Sequence, residues 1–165
     1  MDEAARKKAL RMIPYGLYLL GCRRADVRGP EDLHAYVVSW VTQTSFKPPM
    51  VVVGVGKESH ANGLVKESRV FSLNVLGADQ KDLAKRFFKE IERTDGHLGG
   101  TPIVRGPLTG CPLFTELPAS IECEVAHVYD GENDHSVVVG KVVGVEHRRD
   151  AKPLTTSETG WAYAG

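Results

Sequence analysis

The stretch Pro118-Ala-Ser-Ile121-Glu-Cys123-Glu-Val125-Ala-His127-Val-Tyr129 alternates with a period of two, the period of a β-strand. It predicts that Ile121, Cys123, Val125, His127 and Tyr129 share one face. Asp130-Gly131-Glu132-Asn133-Asp134 follows with turn chemistry, and Ser136 to Glu146 returns as a second Val-rich strand. Two such runs around a short polar turn read as a β-hairpin.

Upstream of this hairpin the chain is also mostly strand-like. Tyr15 to Cys22, Met50 to Val55 and Val70 to Leu76 read as strands, and so does Leu33 to Thr44, which is rich in β-branched and aromatic residues. Gly29-Pro30 is a turn signal. Lys47-Pro48-Pro49 breaks the ladder after Thr44, because proline has no N–H to donate. The unbroken apolar run Met50–Val55 predicts burial on both faces. Short helices are expected over residues 3–13, from Ser59 to about Glu67, and after an Asp79 cap with Leu83, Ala84, Phe87 and Phe88 on one face. Residues 94–112, rich in Gly, Pro and Thr, read as a long surface loop. A parallel sheet needs a helix after nearly every strand. The expected fold is therefore mainly β with short helices, as one antiparallel barrel, closed or nearly so, over residues 1–165.

Composition limits the function. The 165 residues carry 21 basic and 21 acidic side chains and are 42% hydrophobic. Zero net charge provides no bulk field for nucleic acid or an anionic membrane, so an anionic ligand needs a local site. No apolar run approaches the roughly 20 residues of a membrane span. The charged Met1–Arg11 stretch lacks the apolar centre of a signal peptide, and the chain reads as cytoplasmic. Cys22, Cys111 and Cys123 are odd in number and widely spaced, without a CxxC pair. Neither a disulfide framework nor a zinc knot is expected. None of the six histidines pairs with another at metal spacing, and no metal site is expected; His127 reads as a half-buried strand residue.

Two stretches carry candidate chemistry. In Met50-Val-Val-Val-Gly54-Val-Gly56-Lys57-Glu58-Ser59 a strand runs into a helix start. Ser59 stands where a dinucleotide fingerprint needs its third glycine, and Val51 where a P-loop needs its first. A helix N-terminus beside Lys57 and Ser59 still offers N–H donors, a hydroxyl and a charge to a phosphate. The alternative is an ordinary N-cap with a solvated lysine. In Trp40-Val-Thr42-Gln43-Thr44-Ser45-Phe46, hydroxyls and an amide end a strand beside the proline bend. Trp40, Thr42 and Thr44 fall on one face, Gln43 and Ser45 on the other. They line a polar ligand, or they face solvent on an edge strand with Trp40 in the core.

These residues resemble, in order, the pattern of the flavin reductase-like, FMN-binding split-barrel family. The correspondence runs through Thr42–Ser45, Pro48-Pro49, Met50–Val55, Lys57-Glu-Ser59-His60-Ala61-Asn62, Phe71-Ser-Leu-Asn74-Val-Leu76 and Leu83-Ala84-Lys85-Arg86-Phe87, and ends at Pro153-Leu154. Asn133-Asp134-His135 stands where the family often has Gly-Asp-His, with Asn133 in place of the glycine. Tyr15-Gly16-Leu17-Tyr18 is most similar to the flavoredoxin-like branch. The resemblance implies a Greek-key split-barrel homodimer with FMN near the interface. Lys57, Ser59 and Asn62 would hold the phosphate. Thr42, Gln43, Thr44 and Ser45 would contact the ribityl chain and ring edge, Trp40 the ring, and His135 the nicotinamide of NAD(P)H. It implies an NAD(P)H-dependent flavin reductase. An FMN-binding electron carrier reduced by a partner protein, and a split-barrel module for another phosphorylated cofactor, remain open at this point. Because the cofactor carries such chemistry, no acid–base constellation need appear in the sequence.

Overall fold

The computed structural model describes residues 1–161. Its main element is a seven-stranded sheet whose paired strands are all antiparallel, in the order β2-β1-β5-β10-β11-β4-β3. These strands are β1 (Tyr18–Arg23), β2 (Leu33–Val38), β3 (Val41–Phe46), β4 (Pro49–Gly56), β5 (Val70–Val75), β10 (Ala119–Tyr129) and β11 (His135–His147). The two edges, β2 and β3, are consecutive in sequence and separated only by Ser39 and Trp40. Because β2 also touches β4, the sheet curls until its edges meet at that two-residue corner.

The hairpin expectation holds: β10 pairs with β11 around the 130–134 turn. The face expectation does not. Register shifts at Glu122/Cys123 and Val125/His127 insert bulges, and each bulge changes which side the following residues present. Cys123 and Val125 are buried, Ile121 is half-buried, and His127 and Tyr129 are exposed, while Glu122 turns inward. The single strand expected over Leu33–Thr44 is two strands, broken at the Ser39–Trp40 corner. The Met50–Val55 run is not buried on both faces. Val51, Val53 and Val55 point into the core and the residues between them are half-buried.

Residues 94–112 are likewise not a loop. They form most of a second, four-stranded sheet of β6 (Arg93–Thr94), β7 (His97–Leu98), β8 (Thr101–Arg105) and β9 (Pro112–Phe114). Leu98, Ile103 and Phe114 from this sheet pack with Leu19, Leu76, Phe87 and Leu154 in one apolar cluster. A second cluster holds Leu20, Val53, Phe71, Leu73 and Val138. Gly140 is needed there, because a Cβ on it would lie 2.4 Å from Phe71 Cζ.

Of the four α-helices among the described residues, two frame the site. Helix α1 (Glu3–Leu10) is shorter than expected and buries nothing. Helix α2 (His60–Ser68) starts at Ser59, whose Oγ accepts the Asn62 N–H, and it ends at Arg69 in the left-handed conformation. Ala61, Leu64 and Val65 recur at helical spacing and are buried. Helix α3 (Lys81–Arg86) begins at Gln80 rather than Asp79, after a short turn over Ala78–Gln80, and its Phe88 flank is exposed rather than on the buried face. Helix α4 (Thr156–Thr159) lies near the end of the described chain.

Candidate functional site

A cavity of about 430 Å³ opens where the Ser39–Trp40 corner, the end of β4, the start of α2 and the start of β11 converge. Its walls are largely apolar, from Leu17, Val37, Val38, Val55, Phe88 and Trp161, with Tyr36, Ser39, Ser59, Thr156 and His135 as polar members. This size and mixture suit an amphipathic small molecule.

The corner fixes Trp40. Gly54 N–H donates to Trp40 O at 2.8 Å, and a Cβ at Gly54 would come within 3.1 Å of the indole. The missing side chain at Gly54 lets the ring lie against β4. The Trp40 and His135 rings meet at 4.5 Å between centroids, tilted by 50°, so indole and imidazole form one aromatic wall. Ser39, beside Trp40, is 5% exposed, and its Oγ has no hydrogen-bond partner among the described residues. A buried hydroxyl without a partner costs free energy unless a ligand or water meets it. Sequence reasoning missed Ser39; its only signal was a lone small polar residue inside a β-branched run.

His135 begins β11 opposite Gly56. Its Nδ1 lies 2.8 Å from Asp134 Oδ1, and that hydrogen bond, with the imidazole's charge when protonated, holds the Asp134 carboxyl below its ordinary range. The turn carrying His135 is tied down from two sides. Lys57 donates its N–H to Asp134 O and its Nζ to Gly131 O. Lys66 pairs with Asp130 at 2.9 Å. Beneath them, Ser136 Oγ donates to Asp130 Oδ1 and accepts from Asn62 Nδ2 at 2.6 Å.

The predicted site residues are therefore only partly gathered. Trp40, Ser59 and His135 line the cavity. Asn62, 2% exposed, is not brought to it; its amide is used on Ser136 and Val55 O. Lys57 is engaged with the turn. Thr42 and Gln43 line a separate apolar groove of about 310 Å³ with Val41, Met50, Ile121, Val142 and Val145. Thr44 is exposed, Ser45 is half-buried, and a register shift between Gln43 and Ser45 undoes the simple alternation. The three cysteines are buried, and burial pushes the Cys111 and Cys123 thiols up to about 12, far from thiolate chemistry. Among the described residues no three His, Cys, Asp or Glu side chains gather as a metal set, and no helix is long and apolar enough to cross a membrane.

The open-cornered antiparallel barrel is shared with solved flavin reductases. The model of the flavin reductase like domain matches residues 10–162, and the chain belongs to that family. It is 29% identical over 147 residues, 86% of its length, to the FMN reductase (NADH) SmoA of Agrobacterium fabrum, spanning 78% of that protein. It is 31% identical over 137 residues, 82% of its length, to diflavin flavoprotein A 1 of Synechocystis sp.. The chain spans only 22–24% of the length of three of the diflavin flavoproteins it matches. Among solved structures, BorF, the flavin reductase component of a bacterial two-component tryptophan halogenase, superposes with a TM-score of 0.78 at 25% identity, over 96% of this chain and 95% of that one. The fold is that of the flavin reductase split barrels.

Proposed function

We propose that this chain is an NAD(P)H-dependent flavin reductase that holds FMN in the Trp40 cavity. The observation that carries the reading is the Trp40–His135 wall facing an unpartnered Ser39 hydroxyl in a cavity that ends at the Ser59 cap of α2. The residues suit the group: apolar walls for a tricyclic ring, a buried hydroxyl for its polar edge, and a helix N-terminus for its phosphate. FMN, when bound, accepts a hydride equivalent from a nicotinamide and releases electrons to an acceptor.

The protein's own groups bind, orient and exclude water. Trp40 covers the ring. His135, oriented by Asp134, stands at the edge where the nicotinamide of NAD(P)H enters. The first amides of a helix have no intrahelical acceptor, and here Ser59 satisfies that of Asn62, leaving those of His60 and Ala61 for a phosphate. Lys57 can join them by releasing Gly131.

The groove that Thr42 and Gln43 line belongs to the same proposal. Phe46 is 87% exposed and Val145 71%, so an apolar edge lies open in one copy of the chain. A second copy covers it in a twofold dimer, which brings Thr42, Gln43, Thr44 and Ser45 to the flavin at the interface. The reduced flavin serves a redox partner protein, in the cytoplasm.

Release of bound flavin from purified protein, followed by chromatography, tests the cofactor. FMN is expected; mostly FAD, or none even after incubation with FMN, contradicts the reading. Trp40→Ala should weaken FMN about tenfold or more, through lost stacking and lost burial.

A further inference from the structure

The cavity has a second aromatic wall, built differently from the first. The Trp40–His135 wall belongs to the main sheet: Trp40 O accepts the Gly54 N–H, and His135 pairs with Gly56. Phe88 and Trp161 also line the cavity, but they stand on segments outside both sheets, Phe88 just after α3 and Trp161 just after α4. Their rings meet edge-on, with centroids 4.8 Å apart and planes at 71°, a favoured aromatic arrangement. Phe88 is 57% exposed, so this wall leaves an apolar ring half open beside the cavity.

The chain leading to Trp161 is fastened unevenly. Up to Thr156 it is sewn to the residues around β1 and β5. The Leu154 N–H donates to Leu76 O and its carbonyl accepts from the Leu17 N–H, both at 2.8 Å, and the Thr156 N–H donates to Tyr15 O at 2.9 Å. Pro153 and Thr155 form isolated bridges with Gly77 and Gly16. Beyond Thr156 the bonds turn inward on the segment itself. The Thr159 N–H returns to Thr155 O. Its Oγ1 donates to Thr156 O at 2.9 Å and accepts the Trp161 N–H at 3.1 Å. Gly160 ends α4 at a φ of 70°, the left-handed conformation that glycine adopts readily, and carries the chain on to Trp161. Lys81, the first residue of α3, fastens this end from outside. Its Nζ donates to Thr159 O at 2.7 Å and lies 5.8 Å from the centre of the Trp161 ring, within reach of cation–π attraction.

We propose that residues 157–161 are a strap that retains FMN in the cavity, with Trp161 as the wall that parts when the flavin leaves and Lys81 as the positioning residue that holds it shut. The inference rests on the flavin reading and deepens it: FMN stays with the chain between turnovers instead of entering and leaving as a substrate. The sheet wall yields only if paired strands separate. The strap yields with the Lys81 bond and the ring contacts of Trp161.

The test loads the chain with isotope-labelled FMN, chases it with excess unlabelled FMN in the absence of NAD(P)H, and follows the label that stays on the protein. Trp161→Ala should exchange FMN about tenfold faster than wild type or more, since lost contacts appear mainly in the off-rate. Lys81→Met removes the tether without touching the cavity lining and should exchange about threefold faster or more, while Lys81→Arg, which can still donate to Thr159 O, should stay within about twofold of wild type. Saturation by FMN shows that each variant is folded. A wild-type exchange rate in Trp161→Ala overturns the strap. So does a wild-type rate in Lys81→Met, because Trp161 would then hold the flavin without its tether. Wild type that binds FMN but exchanges it as fast as the solutions mix overturns retention and leaves the flavin reading standing. Wild type that binds no FMN overturns the flavin reading and this inference with it.

Discussion

Replacing Asn74 by Leu should remove most of the protein's margin of stability. Asn74 is fully buried in β5, where its Nδ2 donates to Leu19 O at 3.1 Å, Ser72 Oγ at 3.2 Å and Pro112 O at 3.3 Å. Its Oδ1 accepts from the Phe114 N–H at 3.1 Å and from Ser120 Oγ at 2.6 Å. One amide thus joins β1, β5, β9 and β10, and it fastens the small sheet to the large one. Leucine has the same branching at Cγ but makes none of these bonds. Two donors and two acceptor contacts at about 1 kcal/mol net each give a loss of about 4 kcal/mol. That is a large part of the roughly 5–15 kcal/mol that stabilises a typical domain. Urea unfolding followed by tryptophan fluorescence measures it. With a slope of about 2 kcal/mol per molar, the midpoint should fall by about 2 M at unchanged slope. A fall of less than about 0.5 M would show that the network is satisfied some other way in solution, and the account of how the two sheets are joined would be wrong.

Three further outcomes follow from the site and its surroundings. His135→Ala should leave FMN affinity within about threefold and slow reduction of the bound flavin at least tenfold, about 1.4 kcal/mol of barrier, in stopped-flow traces; an unchanged rate removes His135 from the reaction. Burial, reinforced by Arg93, holds the His34 imidazole down at about 4, whereas in an unfolded chain it titrates near about 6.5. Between those values the unfolded state binds a proton that the folded state does not, so stability falls as pH drops through that window. His34→Phe should flatten part of the fall in urea midpoints measured from pH 7 to 4.5, and parallel curves would contradict it. Sedimentation at micromolar concentration should show a dimer for wild type and a monomer for Val145→Glu, which places a charge on the apolar groove; a wild-type monomer that still binds FMN tightly would sink the shared-site picture.

What the sequence disclosed follows the range of its physical signals. The β10–β11 hairpin and the Ser59 cap were legible because period-two alternation, turn residues and a capping hydroxyl act within a few residues. The corner at Ser39–Trp40 was hidden because no glycine or proline marks it; it is set by the meeting of two sheet edges. The bulges that turn Glu122 inward were equally silent. That carboxylate accepts from the Leu108 and Thr109 N–H groups and from Thr109 Oγ1, partners that only the fold brings to it. The small sheet escaped notice because β6 and β7 are two residues long and are held by tertiary contacts rather than propensity. Trp40, Ser59 and His135, singled out from the sequence, line the cavity. Ser39 stands out only through a buried hydroxyl without a partner among the described residues, which a sequence does not display.

If the Trp40 cavity binds FMN in position to be reduced by a nicotinamide, the bound flavin must respond to NADH or NADPH. Anaerobic mixing of the FMN-loaded protein with NADH or NADPH, followed at the oxidised flavin band, tests this on one sample. Loss of the band is expected with at least one donor, faster than for free FMN, and at least tenfold slower in His135→Ala, about 1.4 kcal/mol of barrier. A wild-type band that stays unchanged with both donors while FMN remains bound would contradict the reductase and leave an FMN-binding carrier reduced by another protein.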